Sequence, residues 1–198
     1  ALSCRQGDVK PALEEALNAV NGLDFVMPGM KIIIKPNLVS FKKPDAAATT
    51  HPALLEALVE MLLARGADVT IGDSPGGPHS LPLLNRVYAA TGMDRLEKLG
   101  GKLNRNMNEK TVDFPEGKVL KNFTYTEYLD EADAIIDFCK LKSHGMLGMS
   151  AAVKNLFGTI PGLKKPEVHY KFQNDAEFAD MLVDINEYFK PRLAICDA

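Results

Sequence analysis

No tryptophan occurs among the 198 residues, and aromatics make up only 7% of them. The tyrosines and phenylalanines are scattered, so single-stranded nucleic acid finds no stacking platform. An excess of charge of one sign is lacking too. A formal net charge of −3 is not the basic footprint of a nucleic-acid binder. There is no run of ~18 apolar residues, so no segment reads as a membrane-spanning helix. No charged and then apolar leader opens the chain, so no signal peptide is read there. The chain opens at Ala1 rather than Met, and whether a leader was removed stays open.

Cysteine is scarce. Cys4, Cys139 and Cys196 are far apart and form no C-x-x-C pair. Neither a zinc knuckle nor an iron–sulfur cluster therefore has its ligand set within this chain. Cys139 and Cys196 sit in apolar runs and read as small buried hydrophobes, which fits a reducing cytoplasm. Phosphate-loop and dinucleotide signatures are absent: there is neither G-x-x-x-x-G-K-[ST] nor G-x-G-x-x-G. The missing G-x-S-x-G elbow weakens a hydrolase reading. None of the four histidines has i, i+4 spacing, so no histidine metal site is assigned, and the aspartates that follow the strands either hold a metal such as Mg²⁺ or pair with the lysines.

What is present is an alternation of apolar runs and amphipathic helices. Val9, Leu13, Ala16, Leu17 and Val20 recur at helical spacing over residues 8–21. "MKIIIKPN" reads as a buried strand stopped by Pro36. A polar loop follows, then a helix from Pro52 with Thr50 as its expected N-cap and Gly66 just past its end. "ADVTIGDSPGG" is a second strand breaking into a loop, which completes a βαβ unit with a right-handed crossover. Residues 80–99 read as one or two helices broken near Gly92. The polar, turn-rich stretch 101–124 reads as a small β insertion or flap. "ADAIIDFCKL" is a third strand, "MSAAVKNLFG" a helix after a glycine-rich turn, and "NDAEFADMLVDINEYFKP" an amphipathic helix capped by Asn174 or Asp175. "RLAICDA" is a fourth strand, at which the chain stops.

The expected fold is one α/β domain over residues 1–198, with a mostly parallel, Rossmann-like three-layer sheet and the 101–124 insertion. The chain is expected to be a fragment of a longer protein.

Polar residues follow each apolar run. In an open parallel sheet the strand carboxyl ends form one rim, where ligands bind. Lys35, Asn37, Asp73, Lys142, His144 and Asp197 should share that rim, with Thr50, His51 and the helix carrying Lys154 close by. Lysines near glycine-rich backbone suit an anion: phosphate, carboxylate or a nucleotide tail. His51 and His144 are the candidate acid–base groups, because imidazole titrates near neutrality. The ordinary alternative is that these lysines sit in water and the aspartates cap helices.

"IIIKPNLVS", "TTHPALLEALVEMLLARGA", "TIGDSP", "KLKSHGMLGMSAAVKNLFGTIPG" and a trailing His169 resemble, in that order, the domain of unknown function 362 family. The resemblance covers essentially the whole chain and is most specific over residues 140–162. It carries over Lys35, Asn37, Thr50, His51, Asp73, Lys142, His144, Lys154 and Asn155 as motif positions. It also implies an iron–sulfur association, with a 4Fe–4S cluster only in a module outside this chain. A looser likeness, of fold only, is to the N-terminal domain of nickel-pincer lactate racemases. The function expected is therefore a redox-linked domain binding an anionic small molecule or cofactor at the rim, with a redox protein as a possible partner. The alternative is a non-catalytic metabolite-binding or partner-docking domain. Neither nucleic acid nor membrane is an expected partner.

Overall fold

The structure is a computed structural model and describes residues 9–198. Cys4 and Asp8, the first residue expected in the opening helix, lie outside the described residues.

The central sheet is built from five parallel strands. They are β1 (Lys31–Pro36), β2 (Asp68–Ile71), β3 (Lys102–Leu103), β6 (Ala134–Lys140) and β9 (Leu193–Asp197), in the order β3-β2-β1-β6-β9. β1 lies in the middle, paired with β2 on one side and β6 on the other. Both of its faces are covered, which is why it reads as an unbroken apolar run rather than an alternation. Ile32 and Ile34 point into one core, with Val69, Ile71, Ile136 and Phe138. Ile33 points into the other, with Ile135.

The first core is closed by α1 (Val9–Asn18), α2 (Pro52–Ala64), α3 (Leu81–Thr91) and the short α4 (Arg95–Lys98). The second is closed by α7 (Asp175–Phe189) and by an antiparallel hairpin of β4 (Glu109–Asp113) and β5 (Asn122–Thr126). This is the mostly parallel three-layer α/β architecture expected. Phe178, Leu182 and Ile185 of α7 are buried along one stripe. Asp184, between Leu182 and Ile185 on the same helix, fixes the hairpin loop by accepting from the backbone N–H groups of Lys118, Val119 and Leu120 at 2.7–2.8 Å.

Four local expectations are corrected. The stretch 101–124 is two things: Lys102–Leu103 joins the main sheet as β3, and only the segment after it forms the hairpin. A two-residue strand is too short to show a period. Thr50 is not the cap of α2. That role falls to His51, whose Nδ1 accepts from the Ala53 N–H, while the Thr50 hydroxyl ties Asn37 N–H to the Phe138 carbonyl. The glycine-rich turn after β6 is a small hairpin, β7 (Lys142–His144) with β8 (Gly148–Ser150). The helix after it, α5 (Ala152–Asn155), lasts a single turn before tightening into a 3-10 turn over Leu156–Thr159. A further helix, α6 (Lys164–Lys171), was not expected; it buries no residue fully, so it has no apolar stripe to read.

Candidate functional site

The strand carboxyl ends meet a roof made of β7, β8, α5 and α6. Between them lies a cavity of about 220 Å³ lined by Lys35, Asn37, Asp73, Lys142, His144, Lys154, Asn155, Lys165 and His169, with Val39, Phe157 and Gly158 among the remaining walls. It lies on the α7 side of the sheet, because Lys35 follows Ile33 with the two-residue period of a strand.

At the floor, Lys35 is 1% exposed and pairs with Asp73 Oδ1 at 2.6 Å. Lys35 also donates to the Pro36 carbonyl and to Asn155 Oδ1. Asp73 accepts in addition from the N–H groups of Leu38 and Ser74, so its charge is fully used. Gly158 lies directly over this pair; a Cβ there would collide with Asp73 Oδ1 and Lys35 Nζ. Asn155 is the hub of the floor. Its Oδ1 accepts from Lys35 and Asn37, and its Nδ2 donates to the Lys35 carbonyl and, at 2.6 Å, to Asp137 Oδ1. The second oxygen of Asp137 is buried with no partner. Burial, against the pull of Asn155 and Lys35, raises Asp137 from the usual carboxylate range to about 7.

Around the walls the lysines differ in how they are engaged. Lys142 donates to Asn37 Oδ1 and the Ala48 carbonyl, which pins the loop after β1. Lys165 donates to the carbonyls of Ile160 at 2.6 Å and Ser74 at 2.7 Å, with Ser74 Oγ at 3.4 Å. Its three hydrogens are thereby taken, and it straps α6 to the loop after β2. The Lys154 side chain has no hydrogen bond or ion pair among the described residues; the Phe157 ring, 5.4 Å away, is its neighbour. Burial and the nearby Lys35 push Lys154 below the ordinary lysine range. Burial first, and then lysine neighbours, do the same to Lys142, against the pull of Asp73. Lys165 is brought down to about 8, by burial before its lysine neighbours and against Asp73. Like charges are crowded here without enough carboxylate to neutralise them.

Two histidines complete the wall. His144 Nδ1 accepts from the Leu147 N–H, which closes the β7–β8 turn and leaves Nε2 to carry the proton. His169 stacks on Phe178 at 4.6 Å and meets Phe157 edge-on. Both are held below the ordinary imidazole range, first by burial and then by Lys154. Both are therefore mainly neutral at pH 7.

Of the residues singled out from sequence, Lys35, Asn37, Asp73, Lys142, His144, Lys154 and Asn155 converge on this cavity. Thr50 supports it from below, through Asn37. His51 does not line it: its side chain caps α2 and is exposed, and its N–H donates to Asp197 Oδ2. Asp197 pairs with Lys140 at 3.0 Å, a separate ion pair further along the rim. Lys165 is not singled out by the sequence, and His169 is read from it only as a rim histidine without a role. Both arrive on α6, which has no side-chain cap at Leu163 and no proline in its first two positions to announce it.

The described residues do not fit an iron–sulfur cluster. Among them there is no group of three or more His, Cys, Asp or Glu placed to hold a metal. Cys139 is buried as expected, whereas Cys196, opposite it in register on the edge strand β9, is exposed, and the pair supplies two thiols only. Nor, among the described residues, is any helix long and apolar enough to cross a membrane.

Residues 32–198 match the family described as Domain of unknown function (DUF362), and the chain belongs to that family. Over 98% of its length it is 29% identical to the "Thylakoid-associated protein sll1697" of Synechocystis sp. (strain ATCC 27184 / PCC 6803 / Kazusa), and it spans 60% of that relative. The lactate racemase apoprotein from Thermoanaerobacterium thermosaccharolyticum shares the fold: 91% of the chain matches 46% of that protein, with a TM-score of 0.55 and 15% identity. A likeness at that identity speaks for architecture alone.

Proposed function

We propose that this domain binds a small anionic molecule, a carboxylate in particular, in the cavity at the strand carboxyl ends. The observation that carries the reading is the composition of the lining. Four lysines and two histidines face one cavity with a single carboxylate, Asp73, which Lys35 already neutralises. Burying like charges together is unfavourable unless a counter-charge arrives. About 220 Å³ lies below the few hundred to ~1,000 Å³ of sites for drug-sized ligands, which favours a small acid.

Lys154 supplies the uncommitted charge, and Lys142 a remaining hydrogen. His144 Nε2–H donates to a ligand oxygen, because its Nδ1 is occupied by Leu147. Proton transfer falls to His169, whose side chain has no hydrogen bond among the described residues. The reading of His144 as acid–base thus becomes hydrogen-bond donor, and His51 takes no part. A reducing compartment such as the cytoplasm suits the adjacent free thiols of Cys139 and Cys196.

The test is a thermal-shift panel of acetate, oxalate, phosphate and sulfate against chloride at matched ionic strength. At ~100 times its dissociation constant an anion adds roughly 2.7 kcal/mol. The shift is expected with a carboxylate, and is expected to vanish in Lys154→Met but persist in the exposed control Lys98→Met. Equal shifts in both variants, or none in the wild type, would sink the proposal.

A further inference from the structure

We infer that Lys154 is a nucleophile that forms an imine with a small carboxylic acid bearing an aldehyde or 2-oxo group. The inference rests on the anion-binding reading of the same cavity and adds a covalent step to it.

The argument starts from what each amine in the lining is already doing. Lys35 is engaged by Asp73, the Pro36 carbonyl and Asn155. Lys142 is engaged by Asn37 and the Ala48 carbonyl. Lys165 is engaged by Ser74 and Ile160. An amine whose hydrogens are held by acceptors is kept protonated and cannot attack. Lys154 is the lysine of this lining with no acceptor among the described residues. It is held only by the face of Phe157, which leaves its nitrogen free to turn into the cavity. An amine beside a second cation in a partly buried site loses its proton more readily, and this is a recognised way to activate a lysine towards carbonyl carbon. The direction found for Lys154, set by burial and then by Lys35, agrees.

The rest of the lining suits such a substrate. The Lys142 ammonium and the His144 Nε2–H are placed to hold a carboxylate and a carbonyl oxygen. His169 moves the protons. The neutral Nζ attacks the carbonyl carbon, and the carbonyl electron pair moves to oxygen. His169 carries one amine hydrogen to that oxygen, then the second, and the oxygen leaves as water while the nitrogen pair closes the C=N bond. One amine and one carbonyl become one imine and one water, with no change of oxidation state and no further reactant.

The test uses the full 198-residue chain, glyoxylate and cyanoborohydride, with mass-spectrometric mapping of carboxymethyl-lysine. Labelling of Lys154 is expected at roughly tenfold or more the level at Lys98, since burial and a cationic neighbour raise the fraction of free amine. Excess acetate should suppress that labelling and spare Lys98. Lys154→Arg removes the nucleophile and should lose the site-specific label, while the exposed control Lys98→Arg should keep both the label at Lys154 and the acetate-induced thermal shift. Labelling spread evenly over surface lysines, or concentrated on Lys142 or Lys165, overturns the inference. If acetate stabilises the protein and Lys154 stays unlabelled, the imine falls and the anion site stands. If neither occurs, both fall.

Discussion

Asp184 and Asp137 are both buried on the α7 side of the sheet, and their surroundings treat them in opposite ways. Asp184 sits among three backbone N–H donors from residues 118–120; burial works against its charge, but those donors outweigh it and hold the carboxylate below its ordinary range. Asp137 receives one hydrogen bond, leaves one oxygen without a partner and is raised to about 7. The first arrangement is what stability alone produces: every lone pair that matters is met. The second belongs to a region where Lys35, Lys142, Lys154 and Lys165 crowd together and both histidines are kept neutral. Repelling charges gathered in one cavity, with an unsatisfied carboxylate oxygen just behind its floor residue Asn155, mark a site shaped for something other than stability.

The contrast can be broken experimentally, and the largest effect should come from the floor of the cavity. Asp73→Ala would leave the Lys35 ammonium buried without its partner, and should lower stability by about 3–5 kcal/mol in denaturant titrations. A loss below ~1 kcal/mol would mean that water reaches Lys35. Next comes the pH dependence. Asp137 holds its proton to about pH 7 when folded and to about pH 4 when unfolded. The folded chain therefore binds the extra proton in that window, and this contribution to stability is present at low pH and is lost as pH rises from about 4 to 7. Asp137→Asn should remove it, so the stability difference between wild type and variant should change by a few kcal/mol across that range, on the order of the linkage expected for such a shift. A difference that stays flat would show that Asp137 is ionised throughout. Smaller again, Asp184→Ala should cost about 2 kcal/mol by orphaning N–H groups of the hairpin loop, with acetate binding unchanged. Lost acetate binding there would show that the two regions are not separable.

How much of this was legible before the structure follows the same division. The rim was, because the strand β1 ends abruptly at Pro36 and because Asp73, Lys142 and His144 each follow an apolar run. Such residues must converge wherever parallel strands lie side by side, whatever their order. The βαβ start was legible from Pro52 and Gly66, which stand at the two ends of α2. Less could be read of the roof. β7 and β8 are three residues each, and α6 buries nothing fully, so neither shows a period. Lys165 looks like any lysine in a "KK" pair, and only the fold shows that its amine is turned inward to Ser74 and Ile160. His51 caps α2 in place of Thr50 because either can accept a hydrogen bond near a helix start, and tertiary contacts with Asn37 and Phe138 claimed the threonine.

The most direct measurement is the equilibrium unfolding of wild type and Lys154→Met, each with and without saturating acetate. Removing an uncommitted cation from a crowd of cations should leave the variant as stable as the wild type without acetate, or up to ~1 kcal/mol more stable, as trade-offs between function and stability lead one to expect. With acetate the wild type should gain roughly 2.7 kcal/mol at ~100 times the dissociation constant, and the variant almost nothing. A variant that is less stable without acetate, yet gains as much from it, would contradict the account: Lys154 would then be part of the scaffold, and the anion would bind elsewhere.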